Sequence, residues 1–526
     1  MASTSHEGAK RVKKRKYSTS RCRPSCSAER ICAASTPTAR FAWEEYPEID
    51  PWEPIWLPDF TRRHGLLLDT MDYKPLDYFN LFFPEAVSQL ISDETNRYAE
   101  QFFESRDALA PRSRFSKWKP TTKDEMKGFV ALQIEMGLDW RYNFREHWST
   151  HTLSPGGFGQ VMPHDRYVLL QSFIHFCDNK KQIPRGEPGY NPMYKVQPLL
   201  DIVEPTYKQF YQPGRDLSVD ESMIKYKGRL FFRQYMPDKP TKYGIKDFVL
   251  AEANTGFCLK VITYTGKHSF QRENCPLTKL FMELQSRGIG ACGTVRVNRR
   301  HMPLQLKPDR LKMKRGDNPV FMRADNLVAL AWHDVKRVTC LTTVHTNNLC
   351  EKTICSKGNP EGRKLDKPVA LEEYNCKMAG VDRLDQMLGS YAYGHKSTKW
   401  YHTVYHRMRE IALTNGYIFF KQANSDSTMT AADFLKKVVD SLLAEYVGVP
   451  LAKRGRPAQT AVPDRLTERH FPATYEDKKY KPDCVLCSNR QLKKRHQCNT
   501  YCKQCNVAMH AIGCFERYHT LQDFAL

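Results

Sequence analysis

Two groups of residues in this 526-residue chain have types and spacings suited to holding metal ions. The first closes the sequence as CVLCSNRQLKKRHQCNTYCKQCNVAMHAIGCFERYHT, spaced C-x2-C, x10, C-x3-C-x2-C, x4, H-x3-C-x4-H. Cys484, Cys487, Cys498, Cys502, Cys505, His510, Cys514 and His519 are thereby eight candidate ligands for two tetrahedral Zn²⁺ ions. Spacing leaves the part of Cys498 and of nearby His496 open, and either can be a bystander. Of 17 cysteines, six fall between Cys484 and Cys514, and in a reducing compartment such density means ligation rather than a disulfide framework. A segment this small has little apolar core, so zinc would supply most of its folding energy.

The second group is acidic. In LSVDESMIKYKGRLFFRQYMPDKPTKYGIK, Asp220 and Glu221 follow an alternating apolar run, and seven cations follow: Lys225, Lys227, Arg229, Arg233, Lys239, Lys242 and Lys246. A carboxylate so placed is either an ion-pair partner or one corner of a metal site that works on a polyanion. Asp382 and Asp385, in GVDRLDQM, are three apart and would share one face of a helix. They either contribute further corners or answer Arg383 and Lys377 at the surface.

Composition supplies a scaffold for these groups. With 41% hydrophobic and 12% aromatic residues the chain can bury a substantial core, and its length suits roughly three or four domains. A net charge of +23 and a pI near 9.3 favour a nucleic acid or another acidic partner. No stretch approaches the ~18 apolar residues that span a bilayer, and MASTSHEGAKRVKKRKYSTS has no apolar core after its charges. The expectation is a soluble intracellular protein with no membrane partner. Residues 1–40 carry ten Lys/Arg against two Glu, a composition that predicts a disordered basic tail. Within it, Lys10 to Lys16 reads as a nuclear-import signal or a DNA-phosphate contact.

From Pro75 the periodicity is helical through PLDYFNLFFPEAVSQLISDETNRYAEQFF, then KDEMKGFVALQIEMGL after Thr121-Thr122, then Asp165–Phe176. After Pro213 it alternates: LSVDESM, a hairpin of Phe248–Ala253 and Phe257–Tyr264 about Asn254-Thr255-Gly256, and Val320–His345. Two longer helices follow, YNCKMAGVDRLDQMLGSY and KWYHTVYHRMREIALTNGYIFFKQ.

Several stretches in fixed order carry a resemblance. They are ETNRYAEQ (Glu94–Gln101), DRYVLLQSFIHFCDN (Asp165–Asn179), LSVDESMIKYKGR with MPDKPTKYGIK, ACGTVR (Ala291–Arg296), KMKRGD (Lys312–Asp317) and YNCKMAGVDRLDQM (Tyr374–Met387). Together they resemble the piggyBac family of DNA transposases, from about Asp72 to Lys421 and again at the terminal cysteines. The resemblance implies an α/β fold: an RNase H-like mixed-sheet catalytic core of the DDE/D type, an N-terminal helical region and a small C-terminal zinc-binding cysteine-rich domain. It implies three aspartates holding two Mg²⁺ ions, which activate a nucleophile and stabilise the leaving oxygen. Asp220 would be the first acid, Asp382 the third and Asp385 the additional acid beside it, with the basic run facing double-stranded DNA. Family members nick, form a hairpin on the element's ends and join it at TTAA, usually as dimers or larger assemblies, so the resemblance implies a nuclear protein for which a homodimer is one possible state.

The family's second aspartate lies on a strand before the helix that here reads LTKLFMELQSRG. Only Lys267 to Pro276 separates Gly266 from that helix, and Glu273 is the sole acid there. Asp325, in RADNLVAL, lies beyond both ACGTVR and KMKRGD and reads as a turn residue. The expected domains are a basic tail (1–70), a helical region (71–212), the core (213–423), a basic linker (424–480) and the cysteine-rich domain (481–526). Within the linker, Arg454 and Arg456 of KRGRP resemble an AT-hook that enters a narrow minor groove. The terminal module resembles the one that ends piggyBac-type transposases. Its spacing is shared with RING and PHD modules, so the alternative is a chromatin or partner-binding factor. Lys493, Lys494, Arg495 and Lys503 favour DNA.

Overall fold

The computed structural model describes residues 42–47, 60–61, 64–106, 109–110, 113–151, 156–266, 276–356, 359–446, 470–489 and 494–521. The basic tail, Arg454, Arg456 and residues 267–275 lie outside the described residues. The first part of the chain holds β1 (Glu44–Glu45), β2 (Gly65–Leu66), α1 (Pro75–Phe82), α2 (Glu85–Glu104), α3 (Lys123–Leu138), α4 (His164–Phe173), α5 (Gln197–Gln209) and β3 (Tyr211–Gln212). Next come β4 (Leu217–Lys225), β5 (Gln234–Tyr235), β6 (Tyr243–Glu252), β7 (Cys258–Thr263), α6 (Leu277–Ser286), β8 (Cys292–Thr294), β9 (Val320–Ala324), β10 (Leu327–His333) and β11 (Arg337–Thr342). Then follow β12 (Leu349–Ser356), β13 (Asn359–Pro368), α7 (Val369–Lys377), α8 (Gly380–Ser390), α9 (Trp400–Ala423) and α10 (Ala431–Tyr446). The end holds β14 (Pro472–Thr474), β15 (Thr500–Cys502), β16 (Val507–Ala508) and α11 (Cys514–Thr520). These form two units: 62–269 with 378–526, and 1–61 with 270–377.

In the first unit the run from Pro75 is two helices, because Pro84 has no N–H to extend α1 and stands instead at the N-cap of α2. Thr122 caps α3, its hydroxyl accepting from the Glu125 N–H at 3.2 Å. The core is aromatic: fully buried Phe82 meets the rings of Tyr207, Phe257 and Phe419 at 6.5, 5.6 and 5.7 Å. Strand β4 pairs antiparallel with β6, which pairs on its other side with β7 and β5. The β6–β7 turn is the expected one, with Gly256 at φ +77°. A Cβ there would also stand 3.1 Å from the backbone nitrogen of Leu384 in α8, so the position needs glycine twice over.

Two readings need correction here. The expected linker at 424–480 contains α10, whose Phe434, Leu435, Val438, Val439, Leu442 and Tyr446 are buried, with the helix against α3. Their helical spacing makes an apolar stripe that the Lys, Arg, Pro and Thr content of the wider segment hides. YNCKMAGVDRLDQMLGSY is two helices, α7 and α8, interrupted at Met378-Ala379.

The second unit carries an antiparallel sheet in the order β1-β9-β10-β11-β8 and the separate hairpin β12–β13. Strand β10 is buried on both faces: Leu327, Ala329 and Ala331 cluster with Phe281 of α6, and Leu330 and Trp332 with Ala370 and Leu371 of α7. That explains its continuous apolar run LVALAW. Asp325 sits in the tight β9–β10 turn at φ +51°, as its sequence context suggests.

The first unit buries His147, His175, His402 and His406. Burial pushes His147 and His175 down to about 4, His402 to about 3 and His406 well below its usual range. Because these folded values lie below the unfolded value of roughly 6.5, their neutral burial is fully tolerated above that pH. Stability is then lost as pH falls from about 6.5 towards 4, where the unfolded chain binds more protons. The urea midpoint of the full chain should hold steady above neutrality and drop through this window. A flat midpoint across it would contradict the assignment.

Candidate active site and metal clusters

Ser218, Asp220 and Ser222 alternate along β4 and so project from one side of it. Both serines hold α8. Ser218 Oγ accepts from the Val381 N–H at 3.2 Å, and Ser222 Oγ donates to Asp385 Oδ1 at 2.6 Å. Gly380 makes the approach possible, since a Cβ there would lie 2.5 Å from Ser218 Oγ and 2.7 Å from the Glu252 carbonyl oxygen. Asp382 lies between the two anchor points, exposed in the first turn of α8. Asp220 lies between the serines, its side chain 48% exposed, with Lys239 Nζ 3.6 Å from Oδ2. The strand–helix contact therefore presents Asp220 and Asp382 to solvent together.

Asp385 is turned inward. Arg407, on α9 and nearly buried, donates from one Nη to Asp385 Oδ1 at 2.6 Å and to Ser222 Oγ at 2.5 Å. Directly across the ladder from Ser222 is Asp247 on β6, completely buried. Burial pushes the Asp247 carboxyl up to about 6, offset in part by the Thr263 hydroxyl and the Arg407 charge. One guanidinium thus faces two carboxyls, and Asp385 anchors the helix.

The cations divide as well. Lys225, Lys227, Arg229, Arg233 and Lys242 are exposed, and Lys239 reaches Asp220. Lys225 and Lys246 stand apart: by strand alternation both lie on the other face from Asp220, where Lys246 is ion-paired with Glu221. That other face is open, with Val219 69% exposed and Leu217 and Ile262 above 40%. Among the described residues β4 pairs only with β6, so its outer edge is unpaired.

The terminal module gathers two sets of ligands, each with its atoms within 4.8 Å of one another: Cys484, Cys487, His510 and Cys514, and His470, Cys502, Cys505 and His519. His470 Nδ1 is 3.4 Å from Cys502 Sγ and 3.3 Å from Cys505 Sγ, and Cys487 Sγ is 3.4 Å from His510 Nδ1. Such separations suit the edges of a tetrahedron with bonds of ~2.0–2.3 Å. Cys498 stands outside both sets, buried, with Sγ 3.6 Å from the Pro482 carbonyl. His470 takes the place the spacing assigns to Cys498. It lies 14 residues before Cys484, in the segment that reads as linker. Exposed His496 belongs to neither set.

A family model described as Transposase IS4 matches residues 74–279 and 269–417. The chain belongs to this transposase family, on its piggyBac branch. It is similar to three human proteins. PiggyBac transposable element-derived protein 2 is 23% identical over 70% of the chain, and protein 5 is 22% identical over 70%. Protein 3 is 24% identical over 85%. The matches span 65%, 75% and 76% of those proteins' lengths. A piggyBac transposase, solved by cryo-EM as a synaptic complex with hairpin DNA, superposes with a TM-score of 0.59. That match is 22% identical and covers 85% of this chain and 98% of that one, which establishes a shared mixed α/β fold.

Within this piggyBac-type chain, Arg407, Asp247 and the two serines escaped the sequence reading, since each gains its role from a partner distant in sequence. Removing one partner of a fully buried ion pair costs about 3–5 kcal/mol, and with the Asp385 side chain 33% exposed the cost here falls to roughly 1–3 kcal/mol. Arg407→Gln should lower stability by about that amount in chemical denaturation. Adding Asp385→Asn should restore part of it, giving a positive coupling in the double-mutant cycle. Additive losses would show that the pair is not coupled.

Proposed function

We propose that this chain is a transposase-derived, zinc-containing DNA-binding protein whose RNase H-like core keeps the first and third acids, Asp220 and Asp382, and lacks the second. The observation that carries this reading is the outer edge of β4 beside Asp220, unpaired among the described residues, where a strand bearing another acid would be seated. The family match supports it. Its two stretches overlap at 269–279, where the connection is too short for a strand and helix.

A pair of Mg²⁺ ions ~3.5–4 Å apart needs bridging and flanking carboxylates. Among the described residues no three carboxylates bring their oxygens within 4.8 Å of one another, and Asp385 is already neutralised by Arg407. The acids present do not fit that pair of ions. DNA binding rests on different residues. Lys227, Arg229, Arg233 and Lys242 give exposed positive charge in the segment that joins the Asp220 strand to β6, with Lys225 exposed at the end of β4, in a chain of net charge +23. Lys239 beside Asp220 offsets repulsion between that acid and a phosphate. In the terminal module the Cys/His ligand sets suit Zn²⁺, which would hold together a segment with little core of its own.

Purified chain with Mg²⁺ should bind but not nick DNA bearing the element's ends. Nicking that disappears in Asp220→Ala would overturn the reading. Metal analysis should give two zinc ions per chain, one in His470→Ala and two in Cys498→Ser. A zinc lost from Cys498→Ser but retained in His470→Ala would restore the ligand set read from spacing.

A further inference from the structure

The segment between β4 and β6 carries rings as well as cations. Tyr235 and Tyr243 are directly opposite each other on β5 and β6, with ring centroids 4.6 Å apart. Both are about half exposed, at 55% and 46%. Phe231 is 47% exposed, while its neighbour Phe232 is buried against Trp400 and anchors the segment to α9. Each exposed ring system has a guanidinium beside it. Arg185 lies 4.2 Å from the Phe231 centroid and Arg233 5.7 Å from that of Tyr243. Arg233 is fixed in place by donating to the carbonyls of Lys227 and Gly228 at 2.8 and 3.0 Å. The turn after Tyr235 is tied to the candidate site by Lys239 on Asp220.

Phosphate binding alone explains the cations and leaves the rings unexplained. Exposed aromatic faces cost hydration and offer a duplex nothing, because its bases already stack on one another. They suit a nucleobase that has left the stack, and cations interleaved with rings hold the phosphates on either side of it. We propose that Tyr235 and Tyr243, with Arg233, and Phe231 with Arg185, form a stacking platform for unpaired DNA nucleotides beside Asp220. This deepens the DNA-binding reading and rests on it.

The test compares fluorescence anisotropy of the full chain on a blunt duplex, on the same duplex with a short single-stranded extension, and on one whose extension is abasic. Stacking of one base is worth about tenfold or more in affinity. The extended duplex should bind about tenfold tighter than the blunt one. The abasic extension should lose that advantage. Tyr235→Leu/Tyr243→Leu should lose it too while binding blunt duplex as before, and Tyr235→Phe/Tyr243→Phe should keep it. Equal affinity for blunt and extended duplex, or an abasic extension that binds as tightly as the natural one, would overturn the platform. So would a leucine double variant that retains the advantage, or an acidic aromatic peptide that binds there in preference to the extension. Failure to bind any duplex in a salt-sensitive way would instead overturn the DNA-binding reading beneath it.

Discussion

The seating of α8 on β4 is the contact on which the candidate site depends. Strand alternation puts Ser218, Asp220 and Ser222 on one side, and the helical turn puts Val381, Asp382 and Asp385 within reach of them. Two hydrogen bonds, one glycine without a side chain and one buried guanidinium fix the pairing. Small errors would matter. A methyl group at Gly380 meets both a hydroxyl and a backbone carbonyl, and overpacking of this kind costs typically 1–3 kcal/mol. The helix would lift, and Asp382 would move with it.

Charge is distributed unevenly beneath that contact. Asp247 and Arg407 are drawn out of water with Asp385, part-exposed, beside them, and burial holds Asp247 towards its neutral form. Such an arrangement contributes little net stability, but it penalises any other docking of the helix, because every alternative strands an acid or the arginine. The buried histidines of the same unit act in the same direction: they are compatible with the fold only while neutral.

What the sequence made legible was local. The Asp220 strand, the Gly256 hairpin and the Asp325 turn each depend on a few neighbouring residues, and each is where the pattern puts it. The misses share a physical origin. Helix α10 was hidden because composition over a long window outweighs a stripe of six buried residues within it. His470 was hidden because a metal ligand needs only to arrive in space, and spacing rules look no further than the next cysteine. Arg407 reads as one more cation in a helix until Asp385 and Ser222 are found against it. The grouping of residues before 62 with 270–377 likewise rests on pairing between β1 and β9, which no local pattern announces.

The open edge of β4 has a consequence for solubility. An unpaired strand with Leu217, Val219 and Met223 on its outer face is a template for pairing between molecules. Asp220, Glu221 and Lys225 stand along that same strand as charges that discourage it. Asp220 therefore acts as a gatekeeper against aggregation as well as a member of the candidate site. Neutralising it removes a charge from that edge, so a chain altered at Asp220 should be compared with others only after its state of association is known.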